Sequence, residues 1–251
     1  MMIDNLTERE KKILETITDD HSIGVAELSR RLGVSTVTVR TDLTGLADKG
    51  VIVRNWGGAT PAFHPAVLER QRTSVEEKKL IARAAADMVR DGDTIMVEAG
   101  TTTALMVKYL FGKRDISIVT NSLLVVPYAR ANPALTLTLI GGEFRPATES
   151  LVGAVALAQL ERFHVRYAFV GTDGFSPKTG LTTHLVEGGE IVKKMAAQAE
   201  TTIVLADSGK YGKTGFVSVL PLAGVDHIIT DTGLSDRIAE IEETGVRVTA
   251  V

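Results

Sequence analysis

Apolar residues recur along the chain with two different periods. Up to about Lys49 the spacing is helical, and from Val75 onward short apolar runs alternate with helical stretches. In the first part, Thr7 followed three residues later by Glu10 reads as a capping box, and Ile13, Leu14 and Ile17 then share one face. Gly24 interrupts the pattern, Val25 to Leu32 forms a short second helix, and Gly33 is a left-handed stop. Ser35 caps a third helix through Ala47, with Val39, Leu43 and Leu46 turned inward. After Lys49-Gly50, the run from Val51 to Ala59 alternates and turns at Gly57-Gly58, as a wing would. Two helices about a glycine turn, followed by a wing, predict a winged helix-turn-helix over residues 1–60, whose second helix meets base edges at its start. A small helical protein-interaction module has the same pattern.

Residues 61–74 hold Pro61 and Pro65, show no period and are read as a linker, with His64 a solvated loop residue. Beyond it the fold class is α/β: a mainly parallel sheet over 75–251 with helices on both faces. A helix is expected from Glu76 to Val89 with Leu80, Ile81, Ala84, Ala85 and Met88 inward. Strands are expected at 95–97, 116–119, 135–140, 167–170, 202–205 and 227–229, with further helices at 122–131, 154–163, 187–199 and 235–243.

In such sheets ligands bind beyond the carboxyl ends of the strands. The first of these ends is the most suggestive: Glu98, Gly100, Thr101, Thr102 and Thr103 pass from strand to helix, and unpaired amides with threonine hydroxyls make an anion cradle. Threonines that only cap the helix would look the same. The other strand ends carry Thr120, Asn121 and Ser122, then Gly141 and Gly142, then Asp173 and Gly174, then Asp207 to Lys210. Turn chemistry alone supplies such residues, but their recurrence at one sheet edge suits a ligand bearing a phosphate and several hydroxyls. Phosphate is expected at Gly100 to Thr103 with Lys210 near it, and sugar hydroxyls at Glu98, Asn121 and Asp173.

Composition narrows the class. A chain of 251 residues with 44% hydrophobic content, no cysteine and a net charge of -3 has neither disulfides nor thiolate metal sites. The start at Met1 to Asn5 lacks a charged and then apolar leader, and no apolar run approaches a membrane span, so a cytoplasmic address without a membrane partner is expected. Neither a cofactor nor a metal is expected. Between Ser29 and Trp56, five cations (Arg30, Arg31, Arg40, Lys49, Arg54) against Asp42 and Asp48 leave +3, a local match to DNA phosphates.

The run Gly33-Val34-Ser35-Thr36-Val37-Thr38-Val39-Arg40-Thr41-Asp42-Leu43, with Gly50 and then Arg54-Asn55-Trp56-Gly57-Gly58-Ala59, resembles the DNA-binding signature of the DeoR family of repressors. Thr41 stands where that family usually has a second arginine, and Trp56 where it has histidine. The resemblance implies a DNA face of Ser35, Thr36, Thr38, Arg40 and Thr41 on the third helix with Arg54, Asn55, Trp56 and Gly57 on the wing. The Trp56 indole is expected to pack back on the third helix, the alternative being contact with DNA. The later loops resemble the family's effector domain, itself similar to ribose-5-phosphate isomerases, with Glu98 and Ala99 in place of the usual aspartate and serine. Glu187 matches a family glutamate, although a solvated first-turn acid is equally consistent. Implied is a repressor of a sugar or polyol operon, binding a double-stranded operator and controlled by a phosphorylated sugar or polyol. The alternative is an aldose-ketose isomerase with Asp173 or Glu187 as base and Lys210 steadying an enediolate. Sixty residues of DNA-reading module favour the repressor, and one winged helix covers few base pairs, so a homo-oligomer built on dimers is expected.

Overall fold

The computed structural model describes residues 6–251; the start at 1–5, from which the lack of a leader was read, lies outside the described residues. Two compact units are present, Met1–Thr73 and Ser74–Val251. In the first, α1 (Glu8–Asp19) opens on the expected reciprocal cap, the Glu10 amide donating to Thr7 Oγ1 at 3.2 Å and the Thr7 amide to Glu10 Oε2 at 2.8 Å. Helix α2 (Val25–Leu32) stops at Gly33, φ 66°, and α3 (Thr36–Asp48) starts from Ser35, whose hydroxyl accepts from the Thr38 amide. By composition α3 is a poor helix. Four Thr, two Val and Gly45 together cost about 4 to 5 kcal/mol relative to alanine. Full enclosure of Val39, Leu43 and Leu46 contributes about 5 to 8 kcal/mol, so packing and not propensity sets this element. Glu10 is buried against Lys49 Nζ at 2.7 Å, tying α1 to the end of α3.

The wing is an antiparallel pair, β1 (Ile52–Asn55) and β2 (Gly58–Pro61), with Asn55 opposite Gly58 and Trp56-Gly57 at the tip. Gly57 has φ 90°, a conformation open to glycine at little strain. The stretch read as an irregular linker is not one: Pro65–Arg72 forms an eight-residue helix, α4. Pro65 sits in the first turn where a missing amide costs nothing, and Leu68 is buried in the core of this unit. His64 is accordingly the N-cap, its Nδ1 accepting from the Ala66 amide at 3.2 Å.

The second unit continues with α5 (Val75–Met88), β3 (Thr94–Val97), α6 (Thr101–Lys108), β4 (Ile116–Thr120), α7 (Val126–Arg130) and β5 (Leu135–Leu139). A hairpin of β6 (Glu143–Arg145) and β7 (Ser150–Val152) precedes α8 (Ala154–Leu160), β8 (Val165–Val170), β9 (Gly174–Ser176) and β10 (Gly180–Thr183). Then come α9 (Val186–Ala197), β11 (Ala199–Leu205), β12 (Val217–Leu220), β13 (His227–Thr230), α10 (Ile238–Glu242) and β14 (Arg247–Ala250). Seven strands form one parallel sheet in the order β14-β13-β11-β8-β3-β4-β5. The chain starts in the middle at β3, moves outward through β4 and β5, then returns to β8 and moves outward on the other side. Its switch point therefore lies between β3 and β8.

Several expectations need correcting. On α5 the buried stripe is Lys78, Ile81, Ala82, Ala85 and Ala86, one position off the expected one, and Leu80 is 49% exposed. Four alanines with Leu80 and Ile81 offer several equivalent stripes, and contacts with α6 select among them. The expected 122–131 helix begins as a 3-10 turn at Leu123–Val125 because Pro127 cannot donate within a preceding α-turn. Strand β14 and the three-stranded antiparallel sheet β12-β10-β9 carry too few apolar residues in a row to announce themselves. Between β13 and β14 lies buried His227, taking a bond from Arg247 Nη2 at Nδ1 and facing Thr249 Oγ1 at Nε2, both 2.9 Å. Burial, then the Arg247 charge, lower its pKa to about 4.

Candidate functional site

Two faces carry the residues singled out from sequence, one in each unit. In the first, α3 presents Ser35, Thr36, Arg40 and Thr41 to solvent with Thr38 half-buried, and the wing presents Arg54, Asn55, Trp56 and Gly57. Charge on this face is sorted by pairing. Arg30 and Arg31 both bind Glu27 within α2, and Lys49 binds Glu10. Glu27 stays ionised more readily for it, the Arg31 bond holding its carboxyl below the usual range. Asp42 is clasped by Arg9 through two bonds of 2.7 and 2.8 Å. Of the five cations counted in sequence, Arg40 and Arg54 are left to present positive charge. Arg54 Nη1 rests on Thr44 Oγ1 at 2.9 Å, which ties the wing guanidinium to the later half of α3.

Trp56 does not pack on α3. It is 104% exposed, because the two-residue turn carries it to the hairpin tip beyond reach of any helix. An apolar indole in water has no folded-state benefit there, which favours the alternative, contact with DNA. Val37 and Val53, 71% and 57% exposed, were missed in sequence. The sequence reading gave neither a role, and exposed methyl groups of this kind are what a thymine methyl can pack against.

In the second unit the expected loops converge at the carboxyl edge of the sheet. At the switch point the Gly171 amide donates to Glu98 Oε2 at 3.1 Å, and the Ala99 amide donates to Asn121 Oδ1 at 3.0 Å. Thus the loops after β3, β4 and β8 are joined by two side chains. Asn121 Nδ2 donates onward to the Leu151 carbonyl, bringing in the β6–β7 hairpin, and from there Arg145 Nη2 reaches Glu187 Oε1 on α9 at 2.7 Å. Asp173 Oδ2 accepts from Thr183 Oγ1 and the His184 amide, both 2.9 Å, closing the circuit just before α9. The Arg145 bond holds the Glu187 carboxyl below its ordinary pKa.

Several of the expected ligand groups are taken up by bonds within the protein. Thr103 is fully buried and its hydroxyl donates to the Glu98 and Gly100 carbonyls, so it pins the loop. Thr120 Oγ1 likewise bonds the Val97 carbonyl at 2.5 Å and receives the Ser122 amide. Both amide atoms of Asn121 are bonded to protein, which makes it a positioning group. Gly141 donates to Gln159 Oε1, and Gly142 approaches Val152 too closely for a side chain. At Gly174 a Cβ would lie 2.2 Å from the Lys213 carbonyl, so this glycine admits the 210–215 segment. Among the described residues the hydroxyls of Thr101 and Thr102 and the ammonium of half-buried Lys210 take no such bond, and the first amides of α6 have no side-chain cap. Buried Ser122 Oγ and Thr230 Oγ1 have no partner, and Asp207, named from sequence among the strand-end residues, is buried as well; Arg145 had no role in the sequence reading. Asp231, next along, is held below its ordinary pKa despite burial by amides of Ser208 and Gly233.

A groove of about 400 Å3 lies at the opposite, amino-terminal edge of the sheet, lined by residues such as Asp93, His164, Arg166 and Gln198, and contains none of the expected residues. Among the described residues no cluster of three or more His, Cys, Asp or Glu suits a metal, and no helix is long and apolar enough to cross a membrane.

A model described as the DeoR C terminal sensor domain matches residues 73–232, and one described as a DeoR-like helix-turn-helix domain matches 9–62. The putative aga operon transcriptional repressor of Escherichia coli O157:H7 is 29% identical over 98% of this chain and 94% of its own length. The uncharacterized HTH-type transcriptional regulator YulB of Bacillus subtilis (strain 168) is 32% identical over 98% and 97%. A solved D-ribose-5-phosphate isomerase in complex with phospho-erythronic acid covers 54% of this chain and 53% of its own at 23% identity, with a TM-score of 0.40.

Proposed function

The chain belongs to the DeoR family of helix-turn-helix transcriptional regulators and is a DNA-binding repressor, not an enzyme; on that premise we propose that its affinity for the operator is set by a phosphorylated sugar or polyol held in the second unit. The observation that carries this reading is the switch point, where Glu98 and Gly171 meet beside the uncapped amides of α6. Gly100 offers those amides no side-chain cap, and a helix start with vacant donors favours an oxyanion. Thr101, Thr102 and Lys210 add donors around it, while Glu98 and Asp173 accept from hydroxyls. Arg145, bridging the hairpin to Glu187, is a second cation at the rim.

In the first unit, Arg40 reads a base edge near the start of α3, and Arg54 with Asn55 and Gly57 engages phosphates. Ser35, Thr36, Thr38 and Thr41 line the approach, and Trp56 lies against the duplex. Two copies at least are required, since operators are read as paired half-sites, and the protein works in the cytoplasm. The repressor controls a sugar or polyol operon. Ligand reports itself as a change in operator affinity of about 5- to 150-fold.

The test is a thermal-shift screen of the full chain against phosphorylated sugars and polyols, each with its unphosphorylated parent. A ligand that binds only the folded state raises the midpoint in proportion to ln(1 + [L]/Kd). A rise with the phosphorylated compound alone supports the reading. Equal rises with phosphorylated and parent sugar would place recognition elsewhere than the α6 amides.

A further inference from the structure

Strand β5, Leu135–Leu139, is one edge of the seven-stranded sheet: it pairs with β4, and among the described residues no strand pairs with its other side. The Ile140 amide donates to the Thr120 carbonyl, and in a parallel pair alternate residues face the neighbour. Thr136 and Thr138 therefore turn their main-chain groups to β4, and Leu137 and Leu139 turn theirs outward. Native edge strands are normally protected by charge, proline or a bulge. Here no charged residue stands between Arg130 and Glu143, Leu135 to Leu139 contains no proline, and the register against β4 is unbroken.

The sequence of this edge, Leu-Thr-Leu-Thr-Leu, reads the same in both directions. Antiparallel pairing with a second copy about Leu137 sets Leu137 opposite the partner's Leu137, Leu135 opposite Leu139 and Thr136 opposite Thr138. Every pair is then Leu on Leu or Thr on Thr, on matching faces. The same centre brings the outward N–H and carbonyl of Leu137 onto those of its counterpart, so main-chain bonding and side-chain matching select one register. Pro133 and Gly141-Gly142 bound the pairing at either end. The other sheet edge, β14, reads Arg-Val-Thr-Ala and begins on a charge, so it lacks this self-complementarity.

We propose that β5 is the surface through which two copies of this chain join, continuing the sheet across a two-fold axis at Leu137. This rests on the homo-oligomer reading above and names its interface. Because the chain has no cysteine, a single Leu137→Cys variant of the full chain tests it cleanly. Opposed Cα atoms in a hydrogen-bonded antiparallel pair lie about 5.5 Å apart, within reach of a disulfide. Oxidation with copper phenanthroline should give a covalent dimer on a non-reducing gel. Val248→Cys on β14 should give none, and Leu137→Lys, with its fold checked by circular dichroism, should lose the dimer in light scattering. A monomeric wild type would overturn the oligomer reading together with this one. An oligomeric wild type whose Leu137→Cys variant cross-links no better than Val248→Cys would overturn the β5 interface alone.

Discussion

Glu98 Oε2 accepts from the Gly171 amide across the point where the sheet's strand order reverses, so a carboxylate proposed to meet the ligand also holds the two central loops together. Replacing it separates those tasks. Glu98→Gln keeps an acceptor for Gly171 and should leave the melting temperature nearly unchanged while weakening polyol-phosphate binding, since a neutral amide accepts more weakly than a carboxylate. Glu98→Ala should lose both, with the unpaired amide costing about 1 to 3 kcal/mol. Calorimetric titration beside a melt measures the two effects; a Gln variant that binds as tightly as wild type would remove Glu98 from the ligand shell.

Thr102 and Lys210 belong to the proposed phosphate cradle, and neither lies in the DNA-reading unit. The double variant Thr102→Ala, Lys210→Ala should bind operator as wild type does without effector and fail to respond to it. Operator titrations with and without the sugar phosphate read this directly. A full response would place the phosphate elsewhere, and loss of effector-free binding would show the pair supporting the fold.

Arg40 and Arg54 are expected to differ in kind. Arg40→Ala should cost about 1 to 3 kcal/mol on operator and relax discrimination, whereas Arg54→Ala should weaken all duplexes alike and flatten the salt slope by about one unit. Fluorescence anisotropy on selected and random duplexes at several salt concentrations distinguishes them. Equal loss on both duplexes for Arg40→Ala would reverse the assignment.

Trp56 is the chain's one tryptophan and is fully exposed. Free protein should emit as a solvated indole, and operator should shift the emission to the blue or quench it. An unchanged spectrum at saturation would place the wing tip away from DNA.

His227 gives a pH dependence that is independent of any ligand. Its pKa is lowered from 6.5 to about 4 in the fold by burial and Arg247. The unfolded chain therefore binds a proton that the folded chain refuses, and stability should fall as pH drops from 6.5 toward 4, by up to about 3 kcal/mol for the full shift. Urea melts over this window should show the loss, and His227→Gln should flatten it; parallel slopes for both proteins would assign the dependence to the carboxylates.

Local sequence determined a good deal of this protein. Caps at Thr7 and Ser35, the stop at Gly33 and the wing glycines depend only on a few neighbouring backbone groups, and they were legible because those groups and their partners lie within a turn of each other. Five inner strands of the parallel sheet were legible for a similar reason, since burial on both faces demands a continuous apolar run, and edge strand β5 was legible by its alternation of Leu and Thr. What long-range contacts decide could not be read. Helix α4 takes its place from Leu68 entering a core built mostly from residues far earlier in the chain, and Trp56 lies exposed because hairpin geometry, not hydrophobicity, fixes the tip. At the sheet edge the sequence named the loops but not the duty of each side chain. Thr102 and Thr103 are adjacent and chemically identical, yet the hydroxyl of Thr103 is bonded to the Glu98 and Gly100 carbonyls while that of Thr102 takes no such bond, because a helix turns neighbouring side chains about 100° apart and only the folded loop says which of them meets those carbonyls.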